Sequence, residues 1–121
     1  MNYKDLNVWK HGRDLAICVC RITAKFPSNK ARSLVFQIEK SAVSVPSNIA
    51  EGNGRQYKKE NVQFLYIARG SLLELETQCE IAFGLGYINK EDYNLLTEKI
   101  NGCGKLITGF INYLRKNNSL R

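Results

Sequence analysis

Residues 44–55 read SVPSNIAEGNGR. Whether this stretch ends a helix, cradles a phosphate or joins packed helices decides the fold. Pro46 is one of two prolines in the chain, and it interrupts a run whose apolar residues recur at helical spacing. At about 100° per residue, Leu34, Ile38, Ala42, Val45 and Ile49 share one stripe with Val35 beside it. The stripe keeps its phase across Pro46, whereas a true break resets it. One helix over about 31–52, kinked near Pro46, is therefore predicted. The proline ring lacks an N–H and clashes with the carbonyl four residues back, that of Ala42. Ser44, Ser47 and Asn48 supply polar groups for that freed carbonyl. Gly52 is expected to close the helix as a left-handed cap.

The flanking segments obey the same period. In residues 7–25, Val8, Leu15, Val19, Ile22 and Phe26 fall on one arc, flanked by Trp9, Ala16 and Cys20. Lys10, Arg13, Arg21 and Lys25 fall on the opposite arc with Asp14 among them, so the helix is amphipathic with a basic outer stripe. Residues 58–84 carry a core face of Phe64, Leu65, Ala68, Leu72, Leu75, Cys79 and Ala82. A second apolar patch of Val62, Tyr66 and Leu73 lies about a third of a turn away, so the helix is expected either to sit centrally in the bundle or to meet another subunit through that patch. Gly70 in mid-helix costs about 1 kcal/mol, which predicts a neighbouring backbone close by. Gly84-Leu85-Gly86 ends this segment, and Asn89 with Asp92 opens the fourth as N-cap and third residue. There Tyr93, Leu96, Ile100, Cys103, Ile107, Ile111 and Leu114 form a narrow seam over residues 89–116, followed by a polar tail. With no alternation of useful length and no internal repeat, the chain reads as a single all-α domain, an antiparallel up-and-down four-helix bundle.

Composition is globular, at 44% hydrophobic and 24% charged residues, and the 121 residues carry a formal net charge of +7. Residues 1–69 hold 12 basic against 5 acidic side chains, residues 70–114 hold 3 against 6, and the tail adds Arg115, Lys116 and Arg121. Such a basic balance favours a polyanionic partner. Cys18, Cys20, Cys79 and Cys103 make no C-x-x-C pair and His11 is the single histidine, which argues against a zinc site. Cys18 and Cys20 point about 200° apart on one helix and cannot bridge. The polar start MNYKDLNVWKHGRDL does not read as a signal peptide, and no apolar run approaches the ~18 residues of a membrane span. A cytoplasmic protein with reduced thiols, no metal and no cofactor is expected.

Enzymatic constellations are thin. His11 has no cysteine or acid at activating spacing. Glu74, Glu76 and Glu80 lack the Glu-x-x-His partners of carboxylate di-metal bundles, and they read as solvated or paired with Arg69 and neighbouring subunits. Gly52-Asn53-Gly54-Arg55 has amides enough for an anion nest, but G-x-G without a preceding strand is weak, and a cap and turn is the plainer reading. Arg55, Lys58 and Lys59 follow at once, at a helix N-terminus whose own partial charge favours anions. Tyr57 between these cations is a candidate stacking ring, while Trp9 reads as core packing.

Three strings, DLNVWKHGRDLA, SAVSVPSNIAEGNGR and FLYIARGSLLELETQ, together resemble the 23S rRNA intervening-sequence protein family, also called the four-helix bundle protein family. The likeness covers nearly the whole chain. It departs in a minor way at Lys10, where other members carry a glutamine or another polar residue. The resemblance implies a four-helix bundle that assembles as a homopentameric ring. It also implies encoding within insertions in bacterial ribosomal RNA genes or as separate genes, and kinship to the accessory variability protein of diversity-generating retroelements, a basic barrel that binds nucleic acid and reverse transcriptase. The family brings no catalytic activity, so no active-site residues carry over. The resemblance further suggests a polar joint of Asn48, Glu51 and Arg55 against Ser71 and Glu74.

Two functions follow as expectations. The first is a non-enzymatic, basic, oligomeric protein that binds RNA, ribosomal RNA among the candidates, or DNA through phosphate contacts at Lys10, Arg13, Arg21, Lys25, Arg55, Lys58, Lys59, Arg115 and Lys116. The second is a protein-interaction scaffold that docks a nucleic-acid enzyme such as a reverse transcriptase.

Overall fold

The structure, a computed structural model, describes residues 2–118. A short 3-10 turn at Tyr3–Asp5, capped by Asn2 Oδ1 accepting from the Lys4 amide at 2.9 Å, leads into four helices. These are α1 (Asn7–Thr23), α2 (Arg32–Asn53), α3 (Lys58–Gly84) and α4 (Lys90–Asn118). They lie within two residues of the expected ends, the scatter usual for helix termini. The polar tail lies, from Ser119 onward, outside the described residues.

Each helix packs on its neighbours in sequence, and α1 closes the square against α4, with no diagonal contact among the described residues. The turns at 54–57 and 85–89 force antiparallel neighbours. The Lys25–Asp92 pair, joining the end of α1 to the start of α4, shows the same sense for the closing seam. Every periodic stripe faces inward. Leu15 and Val19 of α1, Ile38, Val45 and Ile49 of α2, Leu65 and Leu75 of α3, and Cys103, Ile107 and Ile111 of α4 are the largest fully buried side chains. Each buried aliphatic chain contributes roughly 1.5–3 kcal/mol, and together they hold the bundle. Among the described residues no helix is long and apolar enough to cross a membrane.

The opening stretch proves to be a packed joint. α2 runs as one helix through Pro46, and a Cβ added at Gly12 of α1 would lie 3.4 Å from the proline's Cβ, so the ring nests in the space that glycine leaves. Asn48 does not serve the Ala42 carbonyl as expected. Its Nδ2 donates to the Ser44 carbonyl at 2.8 Å and to Ser44 Oγ at 2.9 Å. Nor is Gly52 a left-handed cap. It lies inside α2, and the C-cap is Gly54 at φ −83°. Gly52 is buried because α3 crosses there, and a Cβ on it would meet Asn61 Oδ1 at 2.7 Å and Phe64 Cβ at 2.8 Å. The left-handed glycine is instead Gly86, at φ 79°. There the Tyr87 amide donates to the Ala82 carbonyl and the Gly86 amide to the Phe83 carbonyl, the paired bonds of a Schellman cap. Gly70, expected to admit a neighbouring backbone, has nothing within 4 Å of its would-be Cβ. α4 opens as read, with Asn89 Oδ1 accepting from the Asp92 amide at 2.7 Å.

Candidate nucleic-acid interface

The antiparallel order decides which cations meet. The start of α1, the end of α2, the start of α3 and the end of α4 share one end of the bundle. That end collects Lys4, Lys10, Arg55, Lys58, Lys59, Arg115 and Lys116 against Asp5, Glu51 and Glu60. At the opposite end Arg21, Lys25, Lys30, Arg32, Lys40 and Lys90 are more nearly offset by Glu39, Glu80, Glu91 and Asp92. The sequence spreads basic residues over three segments, and folding concentrates them at one end.

This divides the expected α1 stripe. Lys10, Arg13, Arg21 and Lys25 are all exposed, but 15 residues of helix separate first from last, roughly 22 Å of rise. Lys10 belongs to the basic end. Arg13 is held by Asp14 at 3.0 Å and lies over the Trp9 ring at 5.3 Å. Lys25 pairs with Asp92 at 3.0 Å and stands, with Arg21, toward the balanced end. Arg55 pairs with Glu51 at 2.8 Å and lies over the Phe64 ring at 4.6 Å. Exposed pairs of this kind are worth little and yield readily to a phosphate. Lys59 is exposed and Lys58 half-buried at the opening of α3, where the helix adds its own partial positive charge.

Gly52-Asn53-Gly54-Arg55 is not an anion nest. The Gly54 amide donates to the Ala50 and Glu51 carbonyls and the Arg55 amide to that of Gly52, so these donors are spent inside the cap. The joint expected around Asn48 separates into two parts. Asn48 reaches Ser44, whose hydroxyl meets that of buried Ser71 at 2.8 Å, and this chain ties α2 to α3. Glu51 and Arg55 form their own exposed pair, and Glu74 is exposed. Of the apolar patch expected between subunits, Val62 is 6% exposed and belongs to the protomer's own core. α3 carries apolar residues on two adjoining faces, and spacing alone does not say which of them packs inside the protomer. Tyr66 is half-buried and Leu73 is 60% exposed.

Sequence reasoning missed Arg69 as a site residue and read it as a partner for Glu74, Glu76 and Glu80. Its guanidinium instead donates to Thr108 Oγ1 at 3.3 Å and lies over the Tyr66 ring at 5.0 Å. The Tyr66 hydroxyl accepts from Arg115 at 2.9 Å. The linear signal was absent, since Thr108 and Arg115 are on another helix.

His11 Nδ1 donates to the Asn7 carbonyl at 2.9 Å. Burial pushes the Cys79 thiol up to about 12 and the Cys103 thiol up to about 11. Cys18 and Cys20 are raised chiefly by desolvation as well. The Tyr93 hydroxyl is raised mainly by the hydrogen bond it donates to Glu80. Among the described residues no three His, Cys, Asp or Glu side chains gather as a metal site.

Comparison with known proteins gives two findings. The profile of a family described as 23S rRNA-intervening sequence protein matches residues 4–109. The chain is also similar to a crystal structure of a protein of unknown function from the S23 ribosomal protein family of Bacteroides thetaiotaomicron, with 24% identity, a TM-score of 0.79, and coverage of 86% of this chain and 97% of that one. At that identity the likeness speaks for the fold. No curated protein matches.

Proposed function

The chain belongs to the 23S rRNA-intervening sequence protein family, and from that premise we propose that it is a non-enzymatic cytoplasmic protein that binds RNA or DNA through phosphate contacts. The observation that carries this reading is the gathering of Lys4, Lys10, Arg55, Lys58, Lys59, Arg115 and Lys116 at one end of the bundle against three carboxylates. Such a surface attracts a phosphate backbone by releasing counterions, with little reading of sequence. The test is fluorescence anisotropy of a labelled structured RNA over a series of salt concentrations. Affinity falls steeply with salt, and the double variant Lys58→Gln/Lys59→Gln flattens the log–log slope by about one to two. An affinity indifferent to salt contradicts the proposal.

A second reading, a self-associating scaffold that docks a nucleic-acid enzyme, is favoured by the outer face of α3. Ile67, Leu73 and Ile81 are each at least half exposed there, and Gly70 leaves open space among them. Self-association as a pentamer would cover part of such a face. Mass measurement in solution, and a pull-down that survives nuclease, check it. A strictly monomeric protein whose captures vanish with nuclease argues against this second reading alone.

A further inference from the structure

The seam between α3 and α4 opens into a groove of about 670 Å³, lined by Arg69, Leu72, Gly104, Lys105, Thr108 and Gly109 among others. Its size falls in the range of ligand sites, roughly 300–1,000 Å³. Arg69 is half-buried in it, and among the described residues its one side-chain hydrogen bond, to Thr108, is long at 3.3 Å. A guanidinium carries five N–H donors, so most of Arg69's capacity is unspent. Arg115 comes to the same tyrosine from α4, one cation over the Tyr66 ring and the other on its hydroxyl. Among the described residues, neither arginine has a carboxylate in ion-pair contact. Two guanidiniums drawn together without an acid between them form a site of uncompensated positive charge, and an oxyanion that accepts in fork geometry relieves it.

On its exposed side the groove is bordered by a glycine. Gly109 costs α4 about 1 kcal/mol relative to alanine, yet a Cβ there would meet nothing within 4 Å. Packing inside the protomer does not require that glycine, and its effect is to leave the groove unfilled beside Thr108 and Lys105. Glu76 also lines the groove, but it lies seven residues along α3 from Arg69, about 10 Å away in rise.

We propose that the α3–α4 groove is a phosphate-binding channel for a nucleic-acid strand, in which Arg69 grips the backbone with Lys105 and Thr108 as further donors, while Arg115, joined to Arg69 through Tyr66 outside the lining, takes the next phosphate. The inference rests on the nucleic-acid reading above and adds to it a place and a mode of contact. A strand fits better than an isolated carboxylate because the α4 wall of the groove ends at Asn112, one turn before Arg115 and Lys116 of the basic end, so successive phosphates meet successive cations.

The test measures binding of labelled single-stranded RNA of mixed sequence to the full chain and its variants, with melting temperatures taken alongside. Arg69→Gln weakens binding about tenfold and flattens the salt slope by about 0.7, one single-strand phosphate contact. Gly109→Leu fills the groove, weakens binding by a similar factor, and leaves the melting temperature unchanged or higher. Lys40→Gln, the same charge change at an exposed site on α2, changes affinity less than about twofold. If the parent protein binds and both groove variants bind as it does, this inference falls while the basic-end reading stands. If the parent protein binds no RNA, both fall. If polyglutamate binds with the same dependence on Arg69 and Gly109 and displaces the RNA, the groove serves a carboxylate-bearing protein and the phosphate assignment is overturned.

Discussion

Glycine has opposite meanings at two positions of this bundle. Gly52→Ala places a methyl 2.7 Å from Asn61 Oδ1 and 2.8 Å from Phe64 Cβ, so α3 must retreat. Overpacking of this kind costs roughly 1–3 kcal/mol, and urea unfolding should show that loss although alanine is the better helix former. Gly70→Ala meets nothing and should gain about 0.5–1 kcal/mol. Sequence alone predicted the reverse assignment, a cap at Gly52 and a close approach at Gly70. Propensity registers only that a glycine is costly in a helix, and which neighbour repays the cost depends on a second helix. The buried thiols make a prediction of their own. Their folded values, about 12 for Cys79 and about 11 for Cys103, lie above the ordinary 9.0. The unfolded chain therefore loses these protons first as pH rises, and stability present below pH 9 declines between about 9 and 12. Unfolding free energy measured across that window should fall with pH, and less steeply in Cys79→Ala once its own cavity cost is subtracted.

At the scale of the element, the apolar stripes were legible almost entirely. Leu34 through Ile49 in α2 and Leu96 through Leu114 in α4 keep a helical period that only one buried face explains, and the continuity of α2 across Pro46 followed from it. The Asn89 cap was legible too, because a cap is local. Asn89→Ala removes the acceptor of the Asp92 amide and should cost about 1 kcal/mol, read as a lower melting temperature. The polar joint was legible in part. Asn48 reaches Ser71 only through Ser44, and a residue four positions away on the same helix cannot be ranked above Glu51 or Arg55 by sequence. Asn48→Leu leaves the Ser44 hydroxyl bonded only to Ser71 and should destabilise by roughly 1–2 kcal/mol. A lost RNA affinity with unchanged stability would instead make Asn48 a ligand contact.

For the whole molecule, charge was legible as a total and illegible as a surface. The net +7 favours polyanions wherever the cations stand. Their concentration at one end depends on the antiparallel order, which places the first turn of α1 beside the last turn of α4. The same order explains why the α1 stripe proved too long to be one site, and why Arg69 went unseen until α4 brought Thr108 and Arg115 to it. Both RNA predictions belong to this scale because no single helix carries either surface.

The seams differ in how far apart in the chain their halves lie. The α2–α3 seam, the most extensive in the molecule, joins helices separated only by residues 54–57. The α1–α4 seam must instead close a loop spanning most of the chain, at a greater entropic cost. Refolding should accordingly proceed from a central hairpin outward. In pulsed hydrogen exchange, amides around Val45 and Leu65 should gain protection early, and those around Val19 and Ile107 should follow when the outer helices dock.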